Sequence, residues 1–318
     1  PAPLQLPEAK TGRCATPLAG MEETRLVALL TAAAQFRLQE KAQRIRMIAE
    51  AHSRDQALFQ SVAEALGFRH NKINMTILTQ RLPIARLRNR PAMEREALLF
   101  GAAGFIGHEQ FDAAEDPNAR GYLKELWDHW WKLRGDFEPE PDRFLDWKIA
   151  GTRPTNHPQR RLGALAALLE KWPTFSNIMK RESAKPDWQK QVRDLLGALN
   201  HDFWETHYTL RSKPAGKPLT LLGKDRIRDI LGNILFPLAV SDHPGENWIR
   251  YCELPGSDSN ESLRRACLRL FGPDSSRAKE FTKRYFQQQA LLQIYRDFCL
   301  EDASNCEDCP FPEQLAQW

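Results

Sequence analysis

The feature that most constrains the fold is the spacing of apolar residues. Between Glu22 and Glu50 they recur at Leu26, Leu29, Leu30, Ala33, Phe36, Ile45 and Ile48, close to a helical period. The same rhythm returns in "DQALFQSVAEALGF", where Gly67 follows Leu66 as a C-cap, and in "ARGYLKELWDHWWKL" and "SRAKEFTKRYFQQQALLQIYRDFC". Pro91 and Pro158 stand at helix starts, where a missing N–H costs little. Alternating runs of the strand type are nearly absent, and "FLDWKIAG" is the best candidate for one. An all-α fold follows, a multi-helix globular bundle. The first twenty residues have little helical character and predict an extended N-terminal strap. Residues 21–318 read as a single helical domain, with any division into two lobes falling near residue 210.

Composition agrees with a packed domain. Hydrophobic residues make up 42% and charged residues 27%, which excludes a disordered chain. No apolar run approaches the roughly 20 residues that span a bilayer, and "PAPLQLPEAKTGR" lacks the pattern of a secretory signal. A cytoplasmic location without a membrane partner is the resulting expectation. The balance of 45 Lys+Arg against 41 Asp+Glu is only mildly basic, so it permits an anionic partner without demanding one.

Chemistry concentrates in "FCLEDASNCEDCPFP". Three of the six cysteines lie there, at Cys299, Cys306 and Cys309. Six cysteines are too few for a disulfide scaffold, and clustered ones point to metal or redox chemistry. The Cys-x2-Cys turn lets two sulfurs face one ion at about 2.3 Å. Cys299 closes a helix, and Pro310 stiffens the exit. Four thiolates suit a structural zinc or an iron–sulfur cluster. Cys14, Cys252 and Cys267 are the candidates for the fourth. The triplet's spacing is similar to the start of the iron–sulfur loop of helix-hairpin-helix DNA glycosylases, but Leu315 and Ala316 occupy the region where those enzymes place a fourth cysteine.

A second constellation is "RPTNHPQRRLGAL". Arg153, Asn156, His157, Arg160 and Arg161 surround the start of a helix whose dipole favours anions. Arginines oppose that dipole, so Arg160 and Arg161 predict either an internal acidic partner or a bound anion such as phosphate. Two further basic stretches, Arg81–Arg86–Arg88–Arg90 and Arg37–Lys41–Arg44, lie in a chain rich in tryptophan and phenylalanine. That combination is compatible with nucleic-acid binding. No phosphate loop, HExxH or GxSxG pattern occurs, and "GAAGFIG" at 101–107 reads as close helix packing.

Several segments together resemble an uncharacterised bacterial family, domain-of-unknown-function family 2851. They are "LGFRHNK" at 66–72, "QRLPI" at 80–84, "EALLFGAAGFI" at 96–106, "RPTNHPQRRLGALAALL" at 153–169, "LGNILFPLA" at 231–239 and "QQALLQIYRDFC" at 288–299 with the two closing cysteines. The resemblance implies Cys14 as the fourth ligand beside Cys299, Cys306 and Cys309. It also implies that typical members are longer, with an upstream segment of restriction-endonuclease-like fold, so that this chain corresponds to their C-terminal helical part. The expected function is a non-catalytic helical module with a structural metal, zinc or alternatively an iron–sulfur cluster. Such a module would bind nucleic acid or dock onto a nuclease-like domain or subunit. The rivals are an enzyme acting at that metal on a phosphate-bearing substrate, and a protein-interaction scaffold.

Overall fold

The computed structural model describes residues 10–68, 70–137, 144–258, 260–301 and 306–318. Along the chain run α1 (Ala15–Gly20), α2 (Glu23–Ala51), α3 (Arg54–Leu66), α4 (Lys72–Arg81), α5 (Ile84–Leu87), α6 (Ala92–Ala102), α7 (His108–Asp112) and α8 (Pro117–Leu133). Then come α9 (Pro158–Glu170), α10 (Trp172–Asn177), α11 (Trp188–Gly197), α12 (Lys224–Ile230), α13 (Phe236–Asp242) and α14 (Glu246–Glu253). The series ends with α15 (Glu261–Phe271), α16 (Ser276–Glu280), α17 (Tyr285–Tyr295) and α18 (Phe311–Gln317). Among the described residues the structure is all-helical: no strand forms, and the one ladder contact is an isolated bridge between Pro255 and Arg284. No helix among them is long and apolar enough to cross a membrane.

The chain divides into two compact units, Pro1–Gln43 with Leu235–Trp318, and Arg44–Ile234. The boundaries therefore lie at 43/44 and 234/235. Residue 210, where sequence breaks suggest a division, is inside the second unit, because Leu210 is buried and its N–H donates to Gln159 Oε1 at 2.9 Å.

In the first unit the two ends of the chain share one core. Leu18, Leu26 and Leu30 pack with Leu263, Leu270, Leu291 and Ile294. α15 shows why: Leu263, Ala266 and Leu270 recur at helical spacing on its buried face, while Arg264 and Arg265 pair with Glu261 outside. Each leucine so buried contributes about 1.5–3 kcal/mol. Residues 15–20 are helical and not an extended strap. Ala15 and Leu18 bury one face of α1, and Arg277 donates to the Leu18 and Met21 carbonyls at 2.8 Å, holding its C-terminal end. Residues 1–9 of the expected strap fall outside the described ones. Phe36, read as part of the apolar face of α2, is 53% exposed, because it lies well around the helix from Leu26, Leu30 and Leu38.

The second unit is built around α9. Every residue from Pro158 to Leu169 is buried, as expected of a helix apolar on all sides at the centre of a bundle. Such packing needs gaps in the side-chain surface. A Cβ on Gly163 would collide with the Trp204 indole, and one on Gly101 would collide with Trp130. Within "GAAGFIG" only Gly101 serves helix packing; Gly104, just past the end of α6, has open space around it and a φ of +78°, which favours glycine for the turn, and Gly107 has open space too. The segment "FLDWKIAG" is an extended strap without a strand partner. Trp147 donates to the Ala103 carbonyl at 2.8 Å, and Asn71 bonds both the N–H and the C=O of Lys148.

Candidate metal centre

Four thiols that are almost the whole chain apart meet in the first unit. Cys14, Cys299, Cys306 and Cys309 line one cavity of about 110 Å³, together with Arg13 and Arg269. Each arrives on a different local device. Cys14 is the N-cap residue of α1. Cys299 sits on a π-helical turn, Arg296–Glu301, that continues α17 with wider spacing than an α-helix. Cys306 and Cys309 flank the turn that leads into α18. Phe298 and Phe311 stack with centroids 4.4 Å apart and hold the turn against the π-helical segment.

The N-terminal side is fixed by backbone. Gly12 N–H donates to the Arg269 carbonyl at 2.8 Å, and the Cys14 thiol points to the same oxygen at 3.8 Å. A Cβ at Gly12 would stand 2.9 Å from that oxygen and 3.2 Å from Cys14 Sγ, so the approach requires glycine. Arg13 completes the closure. Its N–H points at Cys306 Sγ at 3.5 Å, and its guanidinium bonds the Glu307 carbonyl and, at 2.8 Å, Glu313.

The electrostatics are those of uncompensated sulfur. The Cys14 thiol is pushed up to about 12, first by burial and then by the three other cysteines. Burial likewise pushes Cys299 up to about 11, against the opposing pull of the Arg269 guanidinium. Among the described residues no group of three or more His, Cys, Asp or Glu is arranged to hold a metal ion. Two arginines border the four thiols: Arg13, which is paired with Glu313 at 2.8 Å, and Arg269. Cys252 and Cys267 do not line the cavity. Cys252 lies on α14, and Cys267 on α15, where it packs against the core.

Residues 4–253 match the family described as Protein of unknown function (DUF2851). The chain belongs to that family. No curated protein and no solved structure matches it. The matched stretch includes Cys14 but not 254–318, so the resemblance drawn at 288–299 and at the closing cysteines lies beyond it. The match starts at residue 4 and takes in most of the chain, so the label of a C-terminal helical part is slightly off.

The arginine loop has a different outcome. Arg160 is fully buried, and its guanidinium donates to four backbone carbonyls, those of Trp204, His207, Leu219 and Thr220, at 2.5–3.1 Å. Arg161 donates to the Leu221 carbonyl at 3.1 Å and to Asn156 Oδ1 at 2.6 Å. Residues 198–223 have no regular helix to satisfy their own carbonyls, and these two side chains do it instead. The sequence pattern called for an acidic side chain or an anion; the hydrogen-bond acceptors of these guanidiniums are instead peptide carbonyls and Asn156 Oδ1. His157 caps α9, its Nδ1 accepting the Gln159 N–H at 3.3 Å, and burial followed by Arg211 lowers its pKa to about 4. Arg153 is exposed on the surface of the loop. On the α2 stretch, Arg37 and Lys41 donate to the buried Gln289, and Arg37 also to Gln293, so that face is internal too.

Sequence reasoning missed a buried polar cluster in the second unit. Tyr122 Oη donates to Glu96 Oε2 at 2.6 Å, His201 Nε2 lies 3.0 Å from the same oxygen, and Trp204 Nε1 donates to Tyr122 Oη at 3.2 Å. His207 Nε2 meets Asp116 Oδ2 at 3.3 Å. Only the apolar company of these polar residues hinted at burial. Their polar atoms face one another, which fits a specifying core network more closely than a substrate site.

Proposed function

We propose that this chain is a non-catalytic helical module that binds nucleic acid and is held closed at its two ends by one structural metal ion on Cys14, Cys299, Cys306 and Cys309. The observation that carries the metal reading is the shared cavity: a thiol near the N-terminus and three near the C-terminus line it, with the Arg269 guanidinium beside them. Zinc is the favoured ion, because four thiolates form its usual closed structural sphere and leave no position open for substrate. The helices that supply the ligands also form the unit's core, so bound metal adds to cohesion between chain ends. A specific observation supports an iron–sulfur cluster as the second reading. The cavity of about 110 Å³ is several times the ~10–15 Å³ that one water needs, which leaves room for more than a single ion.

Elemental analysis with an absorption spectrum of the purified chain separates these outcomes. One zinc per chain without colour is expected. Iron with broad absorption near the violet end indicates the cluster, and neither metal in protein purified without chelator sinks the site.

A further inference from the structure

One surface of the second unit remains unexplained by packing. Along α8, Arg120, Lys124, Trp127 and Trp131, with Arg134 just beyond the helix, follow i, i+4, i+7 spacing and form one stripe. Tyr122, Leu123, Leu126 and Trp130 face the core from another side of the same helix. Trp131 is 55% exposed, its ring stacks with Trp127 at 5.9 Å, and the Arg134 guanidinium lies 3.5 Å from its centroid. The pattern continues at both ends. Arg120 stands over Phe111 at 5.5 Å, and Arg86 and Arg90 stand over Phe137 at 5.9 and 6.0 Å. Lys124 pairs with Asp128 at 2.9 Å and Arg90 with Glu94 at 3.1 Å, so a phosphate would have to compete with an acid for these two cations.

We infer that this stripe is where a single-stranded nucleic acid lies, its bases stacking on Trp127 and Trp131 and its phosphates meeting the interleaved cations. Four arginine–aromatic approaches within 6.0 Å fall between residues 86 and 137, two of them on the one Phe137 ring. An exposed tryptophan alone would suit any apolar partner. Here the exposed Trp131 and Phe111 rings each have an arginine over them, which an apolar protein face would have to desolvate and a polyanion would not. A base on Trp131 takes the place of the Arg134 guanidinium, which turns outward to a phosphate. Stacking of this kind is indifferent to sequence because every base has a π-face. The helix, about 25 Å long at 1.5 Å per residue, offers length for several nucleotides. Arg86 and Arg90 thereby acquire a role that the sequence analysis left general.

This inference rests on the nucleic-acid part of the proposed function, and the experiment separates the two. Fluorescence anisotropy of a labelled oligothymidine of about 15 nucleotides is measured with the full metal-loaded chain and with Trp131→Ala and Arg134→Ala. Because Trp131 is exposed, thermal midpoints should be unchanged, and a variant that fails to fold is replaced by Trp131→Gln. Trp131→Ala is expected to weaken binding about tenfold, and Arg134→Ala to flatten the salt dependence by about one phosphate contact. Binding by the parent chain with no loss in either variant overturns the stripe while leaving the nucleic-acid reading intact. Equal affinity for duplex and single strand overturns base stacking. Absence of strand binding by the parent chain overturns both, and points to a protein partner for the stripe.

Discussion

The cysteine cavity and the α9 arginine network are both clusters of chemically special residues, and they resolve in opposite ways. Around Arg160 the polar groups are largely complementary: guanidinium donors meet the carbonyls of Trp204, His207, Leu219 and Thr220, and of its nitrogens only the buried Nε lacks a hydrogen-bond partner among the described residues. Around Cys14 they are alike. Four thiols line one cavity, and burial followed by the other three raises the cost of ionising Cys14. A cluster of like groups asks for an outside partner, while a cluster of unlike groups satisfies itself. What a motif does is thus decided by what faces it, and only secondarily by its own composition.

The largest effect that could break this contrast is loss of the metal. Cys14→Ser should abolish stoichiometric metal and loosen both chain ends, since structural zinc sites are worth on the order of 10 kcal/mol of apparent binding energy. Hydrogen exchange should rise in α1, the turn between Cys306 and Cys309 and α18, with the α9 unit unaffected. Uniform loss of protection across both units would contradict it.

Next comes Arg160→Met, which strands several buried carbonyls at about 1–3 kcal/mol each. Urea denaturation should show a loss of about 3 kcal/mol or more, with full metal content and an unchanged salt dependence of nucleic-acid binding. A flattened salt slope in a stably folded variant would return Arg160 to an anion site.

The smallest effect sharpens the comparison through pH. Burial lowers the His157 pKa from about 6.5 to about 4 in the folded chain, and its neutral Nδ1 accepts the cap hydrogen bond. The unfolded chain therefore binds the proton more readily. Stability from this residue is complete above about pH 6.5 and is lost as pH falls towards 4. His157→Asn keeps a capping acceptor without titrating, and should reduce the slope of stability against pH in that window. An identical slope in both proteins would remove His157 from the account.

The helices of this chain were legible because their cause is local. Leu263, Ala266 and Leu270 declare a buried face by spacing alone, and so does the run from Glu22 through α2. The Cys-x2-Cys turn was legible for the same reason, since two thiols three residues apart need only a turn to converge. The buried Glu96–Tyr122–His201 cluster was not, because its members come from distant segments and each is ordinary alone. Trp127, Trp131 and Arg134 lay in plain view as a helical stripe, but periodicity does not say which apolar residues the core has no room for.

By itself, then, the sequence determined that this chain is helical, where most helices lie, and which short runs carry unusual chemistry, because backbone hydrogen bonding and side-chain periodicity act within a few residues. Tertiary structure decided that the two chain ends form one unit, that Cys14 and not Cys252 or Cys267 joins the C-terminal triplet, and that Arg160 turns inward to peptide carbonyls. Those outcomes depend on what stands opposite a residue across hundreds of positions, and no local pattern encodes the partner.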